Sequence, residues 1–140
     1  MNPLMHATIL LAHGSRDPDW KRPVEAIAAR MQTLDPSCQV GCAYLENMQP
    51  DLGTCVTEWV QRGVMSVTVF PLFLGAGKHV RHDIGTLAQA VRLQHPSLAV
   101  NVGTMMGDHP EFTDLTALLA LKTAALQPLV QPAVQPSASR

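Results

Sequence analysis

The sequence predicts an α/β fold: a single three-layer domain with a four-stranded parallel sheet flanked by helices. Four short apolar runs alternate with stretches of helical spacing in the order βαβαβαβα, the pattern of a parallel sheet with right-handed crossovers. The first and third runs are almost continuously apolar, as expected of strands covered on both faces. The length of 140 residues suits one domain that can bury a core without disulfides or a structural metal.

The elements follow in order. Residues 7–12 (ATILLA) form the first strand. Val24, Ile27, Ala28, Met31 and Leu34 then recur at the i, i+3, i+4, i+7 spacing of an amphipathic helix. Residues 39–45 (QVGCAYL) give the second strand, and Leu52, Val56, Trp59 and Val60 the second helix. Residues 66–71 (SVTVFP) form the third strand; Ile84, Leu87, Ala88 and Val91, with His95 a turn further on, mark the third helix. Residues 98–102 (LAVNV) make the fourth strand. A last helix is expected over 111–126, with Phe112, Leu115, Leu118 and Leu119 on one face. Asp35-Pro36, Gly63, His95-Pro96 and His109-Pro110 punctuate the joints. The domain is expected to span residues 1–126. Residues 127–140, rich in Pro, Gln, Ala and Ser, cannot build a core and are expected to be disordered.

Composition excludes several functions. Aromatics are 4% and the net charge is −1, poor material for base stacking or for general attraction to nucleic acid or anionic membrane. No apolar run reaches the ~20 residues that span a bilayer, and residues 1–11 lack the basic start of a signal peptide. The expected location is the cytoplasm. Cys38, Cys42 and Cys55 lack zinc-ligand spacing and read as reduced, buried thiols. There is no phosphate loop, dinucleotide fingerprint or nucleophile elbow. Ala12 stands where a phosphohistidine mutase needs an arginine.

Ligands of an open parallel sheet bind beyond the carboxyl ends of its strands. Here those ends carry His13-Gly14-Ser15-Arg16, Glu46-Asn47-Met48-Gln49-Pro50, Leu74-Gly75-Ala76-Gly77-Lys78-His79 and Gly103-Thr104-Met105-Met106-Gly107. Topology therefore gathers His13, His79 and Glu46 at one edge. Two imidazoles and a carboxylate suit a divalent transition ion. Each residue also has an ordinary structural explanation: His13 as a buried histidine bonded to backbone, Glu46 as a surface acid or helix-start charge. Arg16, Lys21, Arg22, Lys78 and Arg81 fall in or just after the same loops. They are either a local patch for a polyanion or plain solvated surface. His82 reads as exposed, and His6, His95 and His109 as structural or solvated. Met105 and Met106 read as core filling, with an apolar wall for a flat ligand as the alternative.

Residues 10–18 (LLAHGSRDP) resemble the N-terminal signature of the small sirohydrochlorin cobaltochelatases, the CbiX-type class II chelatases. Residues 69–84 (VFPLFLGAGKHVRHDI) resemble the family's second signature, a strand leading into Gly-x-His-x-x-x-Asp-Ile-Pro. Tyr44-Leu45-Glu46 with Gln49-Pro50 resembles its intermediate acidic segment. The similarity runs from about residue 7 to 120. Lys78, Gly85 and Gln49 depart from the family's usual residues.

The resemblance implies a domain equal to half of the larger two-domain chelatases, working as a homodimer. It implies insertion of a divalent ion, Co²⁺ first and Fe²⁺ or Ni²⁺ otherwise, into a sirohydrochlorin-type tetrapyrrole of cobalamin or siroheme synthesis, with no organic cofactor. His13 and His79 are then the metal-binding and proton-accepting histidines and Glu46 a further metal-handling acid. Arg16, Gln49, Leu74, Gly75, Ala76, Gly77, Lys78 and Arg81 are the candidate contacts to the macrocycle. The rival readings are a non-catalytic metal carrier and a tetrapyrrole-binding module.

Overall fold

The structure is a computed structural model that describes residues 5–126. The expected tail, residues 127–140, lies outside the described residues. The chain divides into two compact units, one ending at His109 and one starting at Pro110.

The first unit holds the sheet. Strands β1 (His6–Ala12), β2 (Val40–Tyr44), β3 (Ser66–Pro71) and β4 (Ala99–Val102) pair in the order β2-β1-β3-β4. All three pairings are parallel, with Ile9 opposite both Gly41 and Val69, and Val69 opposite Val102. Helices α1 (Arg22–Leu34), α2 (Leu52–Gln61) and α3 (Lys78–Gln94) supply the crossovers.

Strand alternation sorts the core into two layers. Ala7, Ile9 and Leu11 of β1 pack with Leu52, Cys55 and Val56 of α2 and with Ile84 and Val91 of α3. Leu10 and Ala12 point the other way, onto Val24, Ala28 and Met31 of α1, together with Tyr44. Both faces of β1 are thus covered, which is why residues 9–12 are continuously apolar. Gly41 lets α2 close in: a Cβ there would lie 2.7 Å from Trp59 Nε1.

Expected and observed boundaries differ at the ends. Strand β2 starts at Val40, one residue later than expected, and Cys38 lies before it, donating its backbone N–H to Asp35 O at 2.9 Å. Helix α3 begins well before the apolar repeat, at Lys78, with Gly77 as its N-cap and no side-chain cap. Helix α2 is capped by Asp51, whose Oδ1 accepts from the Thr54 N–H at 2.8 Å. That bond holds the Asp51 carboxyl below its ordinary value.

All three cysteines are free, with Cys55 buried and the other two half-buried. Burial, reinforced by Glu58 and Cys42, pushes the Cys55 thiol up to about 12; the other two are also raised, chiefly by burial. Cys55 is a small core hydrophobe and Cys42 packs at the edge of the α1-side layer, while Cys38 lies outside both, so the expectation of buried thiols holds for Cys55 alone. His6 is structural: its ring bonds Ser66 Oγ at 2.7 Å and Thr68 Oγ1 at 3.2 Å. His95 bonds Thr57 Oγ1 at 3.2 Å.

The second unit contributes α4 (Pro110–Leu126), in which no residue is buried. Leu115, Leu118, Leu119, Leu121 and Leu126 are all exposed, so the expected core-facing stripe is not covered within the described residues. Among those residues, no helix is long and apolar enough to cross a membrane.

Candidate functional site

The strand order fixes where a ligand can enter. From β1 the chain crosses to β2 on one side, then returns to β3 on the other. Loops leaving β1 and β3 therefore diverge, and the crevice between their carboxyl ends is the topological switch point. His13 follows β1, and Phe73 lies just beyond β3. Their rings meet edge-on, with centroids 6.5 Å apart at 84°.

The β1–β2 pairing continues past the strands. Leu45 N–H donates to Ala12 O at 3.0 Å, and Glu46 N–H to His13 O at 3.1 Å. Gly14 makes this approach possible. Its φ is +95°, and a Cβ there would lie 1.9 Å from the Glu46 carbonyl oxygen. Locking the two loops together brings the side chains into contact: His13 Nε2 lies 2.8 Å from Glu46 Oε1. Carboxylate oxygens accept, so Nε2–H donates in this contact, and in a neutral ring the lone pair is then on Nδ1. The His13 and Glu46 side chains are 50% and 58% exposed. His13 is thus not the buried, backbone-bonded histidine that its strand-end position also allowed.

The pair lines a cleft of about 270 Å³ with Leu45 from the β2 loop and Val80, Asp83, Thr86 and Leu87 from α3. Asp83 was not among the residues the sequence singled out for a site role. Asp83 is the Asp of the Gly-x-His-x-x-x-Asp-Ile pattern, a signal that gave it no role; the packing of α3 against the two loops brings it to the cleft.

The structure does not assemble a ready-made three-ligand centre. Among the described residues, no three His, Cys, Asp or Glu side chains stand close enough to hold a metal ion. His79 is exposed, the second residue of α3, four before Asp83 and so on the same helix flank. Capture of an ion by His13, Glu46 and His79 together requires side-chain rotation.

The basic residues are spread around the edge. Arg16 and Lys78 are exposed. Lys21 pairs with Glu25 at 3.7 Å, one turn along α1. Arg81 lies on the flank of α3 away from the His13 cleft, lining a second cavity of about 360 Å³ with Arg92 and Met105. His82 is exposed on the outer face of α3. Gln49 is exposed and precedes Pro50 through a cis peptide bond.

The Leu74–Gly77 segment borders the crevice, with Leu74 71% exposed. Gly107 braces it: the Gly107 N–H donates to Phe73 O at 2.9 Å, and a Cβ at 107 would lie 1.6 Å from Leu74 O. His109 bonds Thr104 O at 3.0 Å and stacks on Phe70, a structural role.

Comparison with known proteins finds a family and solved structures of the same fold. The CbiX family model matches residues 7–120. A sirohydrochlorin cobaltochelatase of Methanococcoides burtonii is 25% identical over 115 residues, covering 76% of this chain and 88% of that one. Matches to further proteins of that name extend over 80 residues and span 56% of their length. Among solved structures, the CbiX protein of Marinobacter aquaeolei VT8 superposes with a TM-score of 0.78 at 29% identity, over 87% of this chain and 99% of that one. The sirohydrochlorin chelatase SirB of Bacillus subtilis subspecies spizizenii, solved in complex with cobalt, shares the fold with a TM-score of 0.72 at 20% identity. The alignment covers 86% of this chain and 50% of SirB.

Proposed function

The chain belongs to the CbiX family, and from that premise we propose that it inserts a divalent metal ion into sirohydrochlorin, Co²⁺ foremost and Fe²⁺ or Ni²⁺ otherwise. The observation that carries this reading is the His13–Glu46 pair. A proton-accepting imidazole and a carboxylate face one cleft at the switch point of the sheet.

Insertion replaces two pyrrole N–H protons by M²⁺. It therefore needs a ligand that releases the ion and a base that takes protons. Neutral imidazole does both. His13 is the base and first ligand, and its Nδ1 lone pair is available while Glu46 holds Nε2–H. Binding through Nε2 instead requires that proton to leave and the pair to open. His79, at the start of α3, is the second metal ligand. Glu46 orients His13 and takes part in metal handling. The reaction uses no organic cofactor in this reading.

The substrate is a polycarboxylate, so Arg16 and Lys78 grip its rim in this reading, and Arg81 reaches it only from the flank of α3 away from the His13 cleft. Gln49, Leu74 and the backbone of Gly75, Ala76 and Gly77 complete the contact surface. The working form in this reading is a cytoplasmic homodimer. SirB carries about twice as much chain on the same fold, and the leucines of α4 are exposed; both support a second copy taking the place of SirB's additional half.

Anaerobic absorbance of sirohydrochlorin with Co²⁺, Fe²⁺ or Ni²⁺ tests the reading. The expected result is conversion to the metallated spectrum faster than the uncatalysed rate, lost in the His13→Ala, His79→Ala double variant. Retention of activity in that folded variant contradicts it.

A further inference from the structure

We propose that the groove between α3 and β4 is a binding site for a slim aliphatic dicarboxylate, separate from the His13 cleft and independent of the metal-insertion reading. Arg81, Gly85, Ala88 and Arg92 follow one another along a single face of α3. They line a cavity of about 360 Å³ whose far wall is Val102 of β4 and Met105 just beyond it. The cavity and the His13 cleft have no lining residue in common, so they flank α3 on two sides.

The lining defines the class of ligand. The floor is apolar, with Ile84 and Ala88 buried. The charged lining residues are the two arginines; no Asp or Glu lines the cavity, and neither arginine forms an ion pair with a described residue. Arg92 is held in place by Nη2–H, which donates to Val100 O at 3.1 Å. That bond uses one of five guanidinium N–H donors and leaves the rest for a ligand. Carboxylates match such a fork in geometry and charge. Arg81 and Arg92 stand at opposite ends of the face, ~16 Å apart along the helix axis at ~1.5 Å per residue. That span suits two carboxylates joined by an apolar chain better than one head group. Volume sets the size. At the ~30 Å³ that a water molecule occupies, the cavity takes roughly a dozen non-hydrogen atoms, close to suberate and far short of a tetrapyrrole macrocycle. Gly85 keeps the mouth open, since a Cβ there would meet nothing within 4 Å.

The test is calorimetric titration of the full chain with suberate at low ionic strength. The expected result is saturable binding of one suberate per chain. Octanoate, with the same chain and one head, should bind about tenfold more weakly, and Arg92→Leu should weaken the suberate Kd by a similar factor or more. Gly85→Leu should fold at least as well as the wild type, since it replaces a helical glycine in open space, and should abolish binding by filling the groove. No suberate binding by the wild type overturns the proposal. Unchanged affinity in folded Arg92→Leu or Gly85→Leu overturns it as well, and octanoate binding as tightly as suberate overturns the dicarboxylate assignment. If both variants lose affinity for metal-free sirohydrochlorin to the same extent as for suberate, the groove belongs to the macrocycle rim and is not a separate site.

Discussion

Gly14 carries no functional group, yet its backbone sets the distance between His13 and Glu46. With φ at +95° and no room for a Cβ against Glu46 O, any side chain forces the two loops apart. Non-glycine residues in such regions cost roughly 1–3 kcal/mol. Gly14→Ala is therefore expected to lower Tm and, because the pair opens, to slow metal insertion more than the stability loss explains. Comparing melting curves with insertion rates at a temperature where the variant is fully folded checks this. Wild-type rates there would show that the His13–Glu46 contact is dispensable.

Single residues also mark what the sequence reveals. His13, Glu46 and His79 are legible because strand ends are legible, and the carboxyl-end rule then collects them. The bond between His13 and Glu46 is not legible, since it depends on loop register beyond the strands. Asp83 is visible as part of the second signature, but its place in the cleft is not, since nothing in a helix's own sequence says which loop its flank will meet.

Among the elements, α2 offers the cleanest stability test. Asp51 caps it, and its folded carboxyl lies below the ordinary value of 3.8. A depressed carboxylate adds stability that is complete above the ordinary value and is lost as pH falls through the folded one. Asp51→Ala is expected to cost about 1 kcal/mol at neutral pH. The gap between the wild type and Asp51→Asn should hold steady from pH 7 to 5 and close below pH 3.8. Urea melts extended well below pH 3.8 measure it; a gap that does not shrink there contradicts the cap assignment.

Helix boundaries show where periodicity stops being informative. The apolar repeat read from the sequence starts at Ile84, but the helix starts at Lys78; its first turn sets only Val80 against the core, and Lys78 and His79 are exposed. That turn carries His79. Helix α4 shows the converse. It is apolar enough to suggest a core element, yet none of its residues is buried. Periodicity reports an apolar face without saying what covers it.

Across the fold, the βαβα alternation gives the parallel sheet and its layers directly. The order β2-β1-β3-β4 does not follow from alternation, and it is this order that sets the crevice between β1 and β3. His13 and Phe73 meet there because two neighbouring strands send their chains in opposite directions. The fold alone does not make a chelatase; the imidazole and carboxylate at the switch point, in a chain of the CbiX family, are what support that activity.

The decisive experiment is the initial rate of Co²⁺ insertion into sirohydrochlorin by the wild type and by His13→Ala, under anaerobic conditions, with circular dichroism establishing that both are folded. A chelatase with His13 as its base gives a wild-type rate well above the protein-free reaction. Its His13→Ala rate falls by roughly two orders of magnitude or more, the scale of a lost acid–base group. Equal rates for the two proteins would contradict that role for His13.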